Sequence, residues 1–123
     1  MERARRWVAL SDGGAGLEDF LRVNFGRVEE VILDFYHVSE HLHDFAKLWQ
    51  PGDEEASREL AKGWCHQLKH EGGAAVRQVL QGLDLGGRSA VVREAHRQLA
   101  GYFANQVHRM DYPRYRAKGW QIG

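Results

Sequence analysis

Asp12 closes a short apolar run, Trp7-Val-Ala-Leu-Ser11, and is followed at once by Gly13 and Gly14. A carboxylate at the end of an apolar strand stands at the carboxyl edge of a sheet, where open α/β sheets bind ligands. The two glycines let backbone or phosphate approach closely. A hard cation such as Mg²⁺ takes oxygen ligands and keeps several waters, so Asp12 could be one ligand among several converging carboxylates. The same Asp-Gly pair also suits a turn, or a cap for a following helix. A second run, Glu29-Glu-Val-Ile-Leu-Asp34-Phe-Tyr-His37, ends the same way, with a histidine three residues beyond the acid. There His37 could hydrogen-bond to the Asp34 carboxylate and steady a metal site from outside. Equally, Asp34 could cap a helix and His37 be an ordinary satisfied histidine.

Other residues invite chemistry more weakly. His37, His41 and His43, with Asp34 and Asp44, offer a zinc reading, because imidazoles four residues apart share a helix face. His66 and His70 repeat that spacing beside Cys65, but no recognised zinc motif surrounds either set. Cys65 lies inside an amphipathic stretch without an obvious activating cation pair, a poor setting for a nucleophile. The tail, Tyr112-Pro-Arg-Tyr-Arg-Ala-Lys-Gly-Trp120, interleaves basic and aromatic residues as single-strand binders do. Arg114, Arg116 and Lys118 would meet phosphates there, and Arg3, Arg5 and Arg6 form a second basic cluster. The alternative for the tail is a surface linker with a few buried aromatics.

Positioning these groups falls to a small set of expected elements. Residues 6–11 read as a strand, 17–25 as a helix stopped by Asn24-Phe-Gly26, and 28–33 as a second, mostly buried strand. Strand, helix and strand at this spacing make a βαβ unit with two parallel strands, which puts Asp12 and Asp34 on the same sheet edge. Everything from His37 onward looks helical. Helices are expected over about 38–49, from an Asp53 cap to about His70, over 74–83, and over 89–110, with Pro51-Gly52, Gly72-Gly73 and Gly86-Gly87 between them. Such a series suggests an antiparallel bundle. Residues 111–123 show no periodicity and read as loop or extended chain.

Three of these segments carry a family likeness: Ala9-Leu-Ser-Asp12-Gly-Gly, then Val31-Ile-Leu-Asp34-Phe-Tyr-His37-x-Ser-Glu-His41-Leu, then Tyr115-Arg-Ala-Lys-Gly-Trp-Gln-Ile-Gly123. Over nearly its whole length the chain resembles the central part of bacterial DDE-superfamily insertion-sequence transposases, ISKra type. The resemblance implies a mostly helical α/β chain. Residues 1–37 would be a partial ribonuclease H-like catalytic core, 38–110 an all-helical insertion of about four helices, and 111–123 a tail leading toward a catalytic-Glu helix. It implies that Asp12 is the second member of the catalytic acidic triad and a metal ligand, with Asp34 and His37 supporting the site. The first Asp would lie upstream of Met1 and the Glu beyond Gly123. It also implies two Mg²⁺ ions, transposon-end and target DNA as partners, and strand cleavage and transfer as the reaction. With one carboxylate of three, the chain alone is expected to be inactive. The competing class is a non-enzymatic helical module that binds protein or nucleic acid.

Composition agrees with a single soluble domain: 43% hydrophobic residues, with four Trp, five Phe and four Tyr, supply a core for 123 residues. No apolar run approaches the roughly 20 residues a bilayer requires, and Met1-Glu-Arg-Ala-Arg-Arg precedes a run too short for a signal-peptide core. A cytoplasmic location is expected, nucleoid-associated when DNA is bound, and the lone Cys65 suits a reducing compartment. The net charge of zero conceals segregation: residues 17–60 hold eleven acidic against four basic side chains, and residues 88–118 seven basic against two acidic. Basic flanks around an acidic middle could hold phosphate, although balanced charge on solvated helix faces is the plainer account. An unpaired edge on the first strand would favour self-association.

Overall fold

The computed structural model describes residues 7–11 and 28–123. Strands β1 (Trp7–Ser11) and β2 (Val28–Leu33) pair in parallel, with Val8 opposite Glu30 and Ser11 opposite Leu33, and a register irregularity between Trp7 and Val8. Parallel strands buried on both faces carry continuous apolar runs; Ile32 and Leu33 are accordingly sealed from solvent. The helix expected over 17–25 lies outside the described residues.

One residue separates β2 from helix α1 (Phe35–Trp49). Asp34 Oδ1 accepts hydrogen bonds from the backbone N–H of Tyr36 at 2.8 Å and His37 at 3.4 Å. These are orphan donors of a first helical turn, so α1 starts three residues before the expected position at 38. Phe35, Val38, Leu42, Phe45, Ala46 and Trp49 form its buried stripe at three- and four-residue steps. Pro51 bars continuation and Gly52 takes a positive φ of 79°. Asp53 then caps helix α2 (Glu54–Glu71), accepting from Ala56 N–H at 3.0 Å, with Glu54 and Glu55 favourably placed at the positive end of the helix dipole.

Helix α2 ends at Gly72, whose φ of 95° and ψ of 171° belong to glycine, and α3 (Gly73–Gln81) starts without a gap. Asp84 turns the following loop by accepting from Gly86 N–H at 2.9 Å. Ser89 caps helix α4 (Ala90–Gln106) through Val92 N–H. The long helix expected to reach 110 stops at Gln106, because Val107–Arg109 tighten into a 3₁₀ turn. That turn delivers Met110 into the core.

The tail corrects the loop expectation. Tyr112–Ala117 is a further helix, α5, with Pro113 in its first turn, where its missing N–H is no loss. Tyr112 and Tyr115 are wholly buried, and Trp120 turns back to stack on Tyr115 with ring centroids 6.0 Å apart. Among the described residues the molecule is therefore mostly helical: α1 and α2 pack as a hairpin, α4 lies against α1 and α3, and α5 lies against α2.

Candidate functional site

The carboxyl ends of the two strands define the edge on which the acidic residues were expected to meet. Ser11 and Leu33 are the last register pair there. Asp12, the expected metal ligand, follows Ser11 in sequence and lies outside the described residues, as do Arg3, Arg5 and Arg6. Asp34 stands at the edge, half-buried, with Oδ1 committed to capping α1.

Three contacts made by the end of the chain close around this point. The Tyr112 hydroxyl donates to the Leu33 carbonyl at 2.8 Å, and Phe35 N–H donates to the Ile122 carbonyl at 2.7 Å. Gly123 lies against Asp34 and Tyr36 so closely that an added Cβ would stand 2.8 Å from Asp34 Oδ1 and 2.7 Å from the Tyr36 ring. Burial, with a smaller push from Tyr102, Tyr115 and Asp34, drives the Tyr112 phenol far above its ordinary range. It therefore stays a neutral donor and holds the strand end. The sequence marks Tyr112 as a tail aromatic and Ile122 as part of the closing segment, but not their contacts with the end of β2. The usable signal was local: Asp111-Tyr-Pro reads as a helix start once Pro is allowed in the first turn.

His37 meets Asp34 through its backbone N–H; its ring turns away, edge-on to His41 at 4.9 Å between centroids, and His41 in turn faces Tyr102 at 4.5 Å. The expected histidine-carboxylate contact through the ring is replaced by an aromatic column between α1 and α4. Burial, reinforced by the neighbouring His37, holds the His41 pKa below its usual value against the opposing pull of Asp44 and Glu40. Beside this column runs a groove of about 280 Å³ lined by His41, Asp44, Phe45, Leu48, Leu99 and Tyr102, among others. No three His, Cys, Asp or Glu side chains converge as a metal-binding group among the described residues. Burial pushes the Cys65 thiol up, with Ser39 opposing weakly, which keeps it protonated and a poor nucleophile.

The basic tail divides by chemistry. Its aromatics Tyr112, Tyr115 and Trp120 point into the core, so they offer bases no stacking face. Its cations stay outside: Arg114 pairs with Asp111 at 3.0 Å, Lys118 lies 4.7 Å over the Trp120 ring, and Arg116 reaches across to His70 on α2 at 3.4 Å. A further arginine, Arg88, hydrogen-bonds to the Trp49 carbonyl at 2.7 Å and covers the Trp49 ring at 3.7 Å. That one ties the start of α4 to the end of α1 and is structural.

No family model, no curated protein and no solved structure matches this chain. Among the described residues no helix is long and apolar enough to cross a membrane.

Proposed function

We propose that the chain is the inner part of a DDE-type transposase catalytic domain: a parallel strand pair of ribonuclease H-like type carrying Asp12, with a helical insertion hung from the end of its second strand. The observation that carries this reading is the return of the chain. The helical block leaves β2 at Asp34 and comes back to the same point, where Ile122 accepts from Phe35 N–H at 2.7 Å and Tyr112 clasps Leu33. An insertion into a sheet must start and finish at neighbouring places. A helix following Gly123 would begin beside the strand ends, where the resemblance calls for the catalytic Glu.

In this reading Asp12 would hold one of two Mg²⁺ ions, whose chemistry would be to activate water or a 3′-hydroxyl and stabilise the departing oxygen. Asp34 is the only other acid at the described edge, and one of its oxygens already serves the helix cap. Asp12 and Asp34 alone would be too few oxygen donors for a hard cation, so in this reading the remaining carboxylates lie in the flanking sequence. The chain alone, given duplex DNA with Mg²⁺ or Mn²⁺, should show no cleavage above background. Asp34 and His37 fix the start of α1 at the end of β2 through the capping contacts, which is the supporting role they have in this reading.

The decisive experiment is to read the coding DNA on either side. The transposase reading requires a strand ending in Asp upstream and a helix carrying Glu downstream, and flanks with neither would overturn it. The burial of Tyr112, Tyr115 and Trp120 favours the second reading, a helical interaction module without catalysis, because it removes a base-stacking surface. Flanks without the two acids would leave that module as the conclusion.

A further inference from the structure

Four cationic or protonatable side chains line one ridge of the helical block. Lys62, His66 and His70 are exposed and occur every fourth residue along α2, so they share a face over roughly 12 Å of helix. The His66 and His70 rings are 4.3 Å apart between centroids. Exposed Arg116, on α5, continues the ridge, with its Nη1 3.4 Å from His70 Nδ1. Nδ1 can accept from Arg116 only while the imidazole is neutral, so His70 carries its proton on Nε2 in this arrangement. Of the acids nearby, Glu59 pairs with Lys62 across an exposed 3.8 Å gap and partly offsets its charge, while Asp111 holds Arg114, which is not part of the ridge.

We propose that the ridge Lys62–His66–His70–Arg116 binds the phosphate backbone of duplex DNA. It deepens the transposase reading, on which the choice of DNA as the polyanion rests; the location rests on the structure. A duplex carries one negative charge per about 1.7 Å of axis, so a ridge of this length faces several phosphates at once. Such binding reads no sequence.

The charges around His70 give the site a distinctive behaviour. Contact with its neighbours removes water from the ring, and His66, Arg116 and Lys69 repel a further positive charge, so its pKa lies below the ordinary value. Arg116 from α5, His66 and Lys69 from α2 are the charges acting on it, all positive. A phosphate placed between His70 and Arg116 reverses that repulsion and favours the protonated ring. Binding therefore takes up a proton, and affinity rises as pH falls through the imidazole range.

The test is fluorescence anisotropy of a labelled random-sequence duplex with the full chain, at fixed ionic strength, near pH 7.5 and near pH 6. Wild type should bind several-fold more tightly at the lower pH. Arg116→Gln should weaken binding several-fold and reduce the slope of log affinity against log salt by about 1. His70→Gln should leave affinity near pH 7.5 within about twofold and clearly reduce the pH dependence, His66 on the same ridge accounting for the remainder. Arg93→Gln, on α4, should change neither quantity, and circular dichroism of each variant verifies its fold. Unchanged affinity and salt slope in folded Arg116→Gln, or undiminished pH dependence in folded His70→Gln, would overturn the proposal. Success here with flanks lacking the two acids would leave the ridge standing and remove the transposase reading; the reverse result would remove only the ridge.

Discussion

At Asp34 the same carboxylate could steady a metal site or start a helix, and the geometry gives it the second job explicitly. Two backbone N–H groups of α1 depend on its Oδ1. Asp34→Ala should therefore lower unfolding free energy by about 1 kcal/mol, while Asn, an equally good cap, should recover most of it. Urea denaturation checks both, and an Ala variant as stable as wild type would contradict the capping role. His41 yields a pH prediction. Its folded pKa lies below the ordinary value of 6.5 because it is partly buried and faces His37. The unfolded chain then binds the proton more readily, so stability is full above about pH 6.5 and declines as pH falls through and below it. His70 contributes with the same sign. Thermal midpoints should accordingly drop between about pH 7.5 and 5.5, and His41→Gln should flatten the decline measurably. An equal decline in the variant would show that His41 is not a source of it.

Between elements, the two glycines of greatest interest behave oppositely. Gly73 opens α3 where its N–H donates to the Met110 carbonyl at 2.9 Å, and an added Cβ would fall 2.5 Å from Met110 Cβ. Because that atom is fixed to the backbone, the 3₁₀ turn must move; Gly73→Ala should cost about 1–3 kcal/mol. Gly63 lies in the exposed middle of α2 with open space around it. Gly63→Ala should stabilise by about 0.5–1 kcal/mol through helix propensity. Urea midpoints moving in the same direction for both would refute this contrast. The pattern of caps and apolar steps that made α2 legible in the sequence is the same pattern that stabilises it: Asp53, two acids, then Ala61, Trp64 and Leu68 buried. The parallel strands were legible for a similar reason, as apolar runs closed by acids. The tail was not, because six residues cover less than two helical turns and supply no period. Its burial depends on partners far along the chain, such as Leu33, seventy-nine residues before Tyr112. The base-stacking expectation failed with it, since sequence shows that a tyrosine is present but not which way it faces. Asp12, placed at a strand end by the apolar run before it, lies outside the described residues.

For the molecule as a whole, a closed helical block is joined to a sheet of two strands among the described residues. One core runs from Ile32 and Leu33 of β2 through Leu42, Leu68 and Phe103 to Tyr115, and the ends of the helical block are fastened together at Leu33 and Ile122. Among the described residues each strand has one hydrogen-bonded strand neighbour, which leaves its other edge without a described strand partner. Two strands are marginal in water, and such an edge is a template for pairing with another copy. In the transposase reading, strands encoded upstream would cover it. The 123-residue chain should therefore sediment as a mixture whose average mass rises above 14.1 kDa with concentration, while its helical circular-dichroism signal stays constant. A longer polypeptide that includes the upstream strands should sediment at its own monomer mass under the same conditions. Association that persists unchanged in the longer chain would locate the contact on the helical block, and a strict 14.1 kDa monomer at every concentration would show that the strand edge is already satisfied.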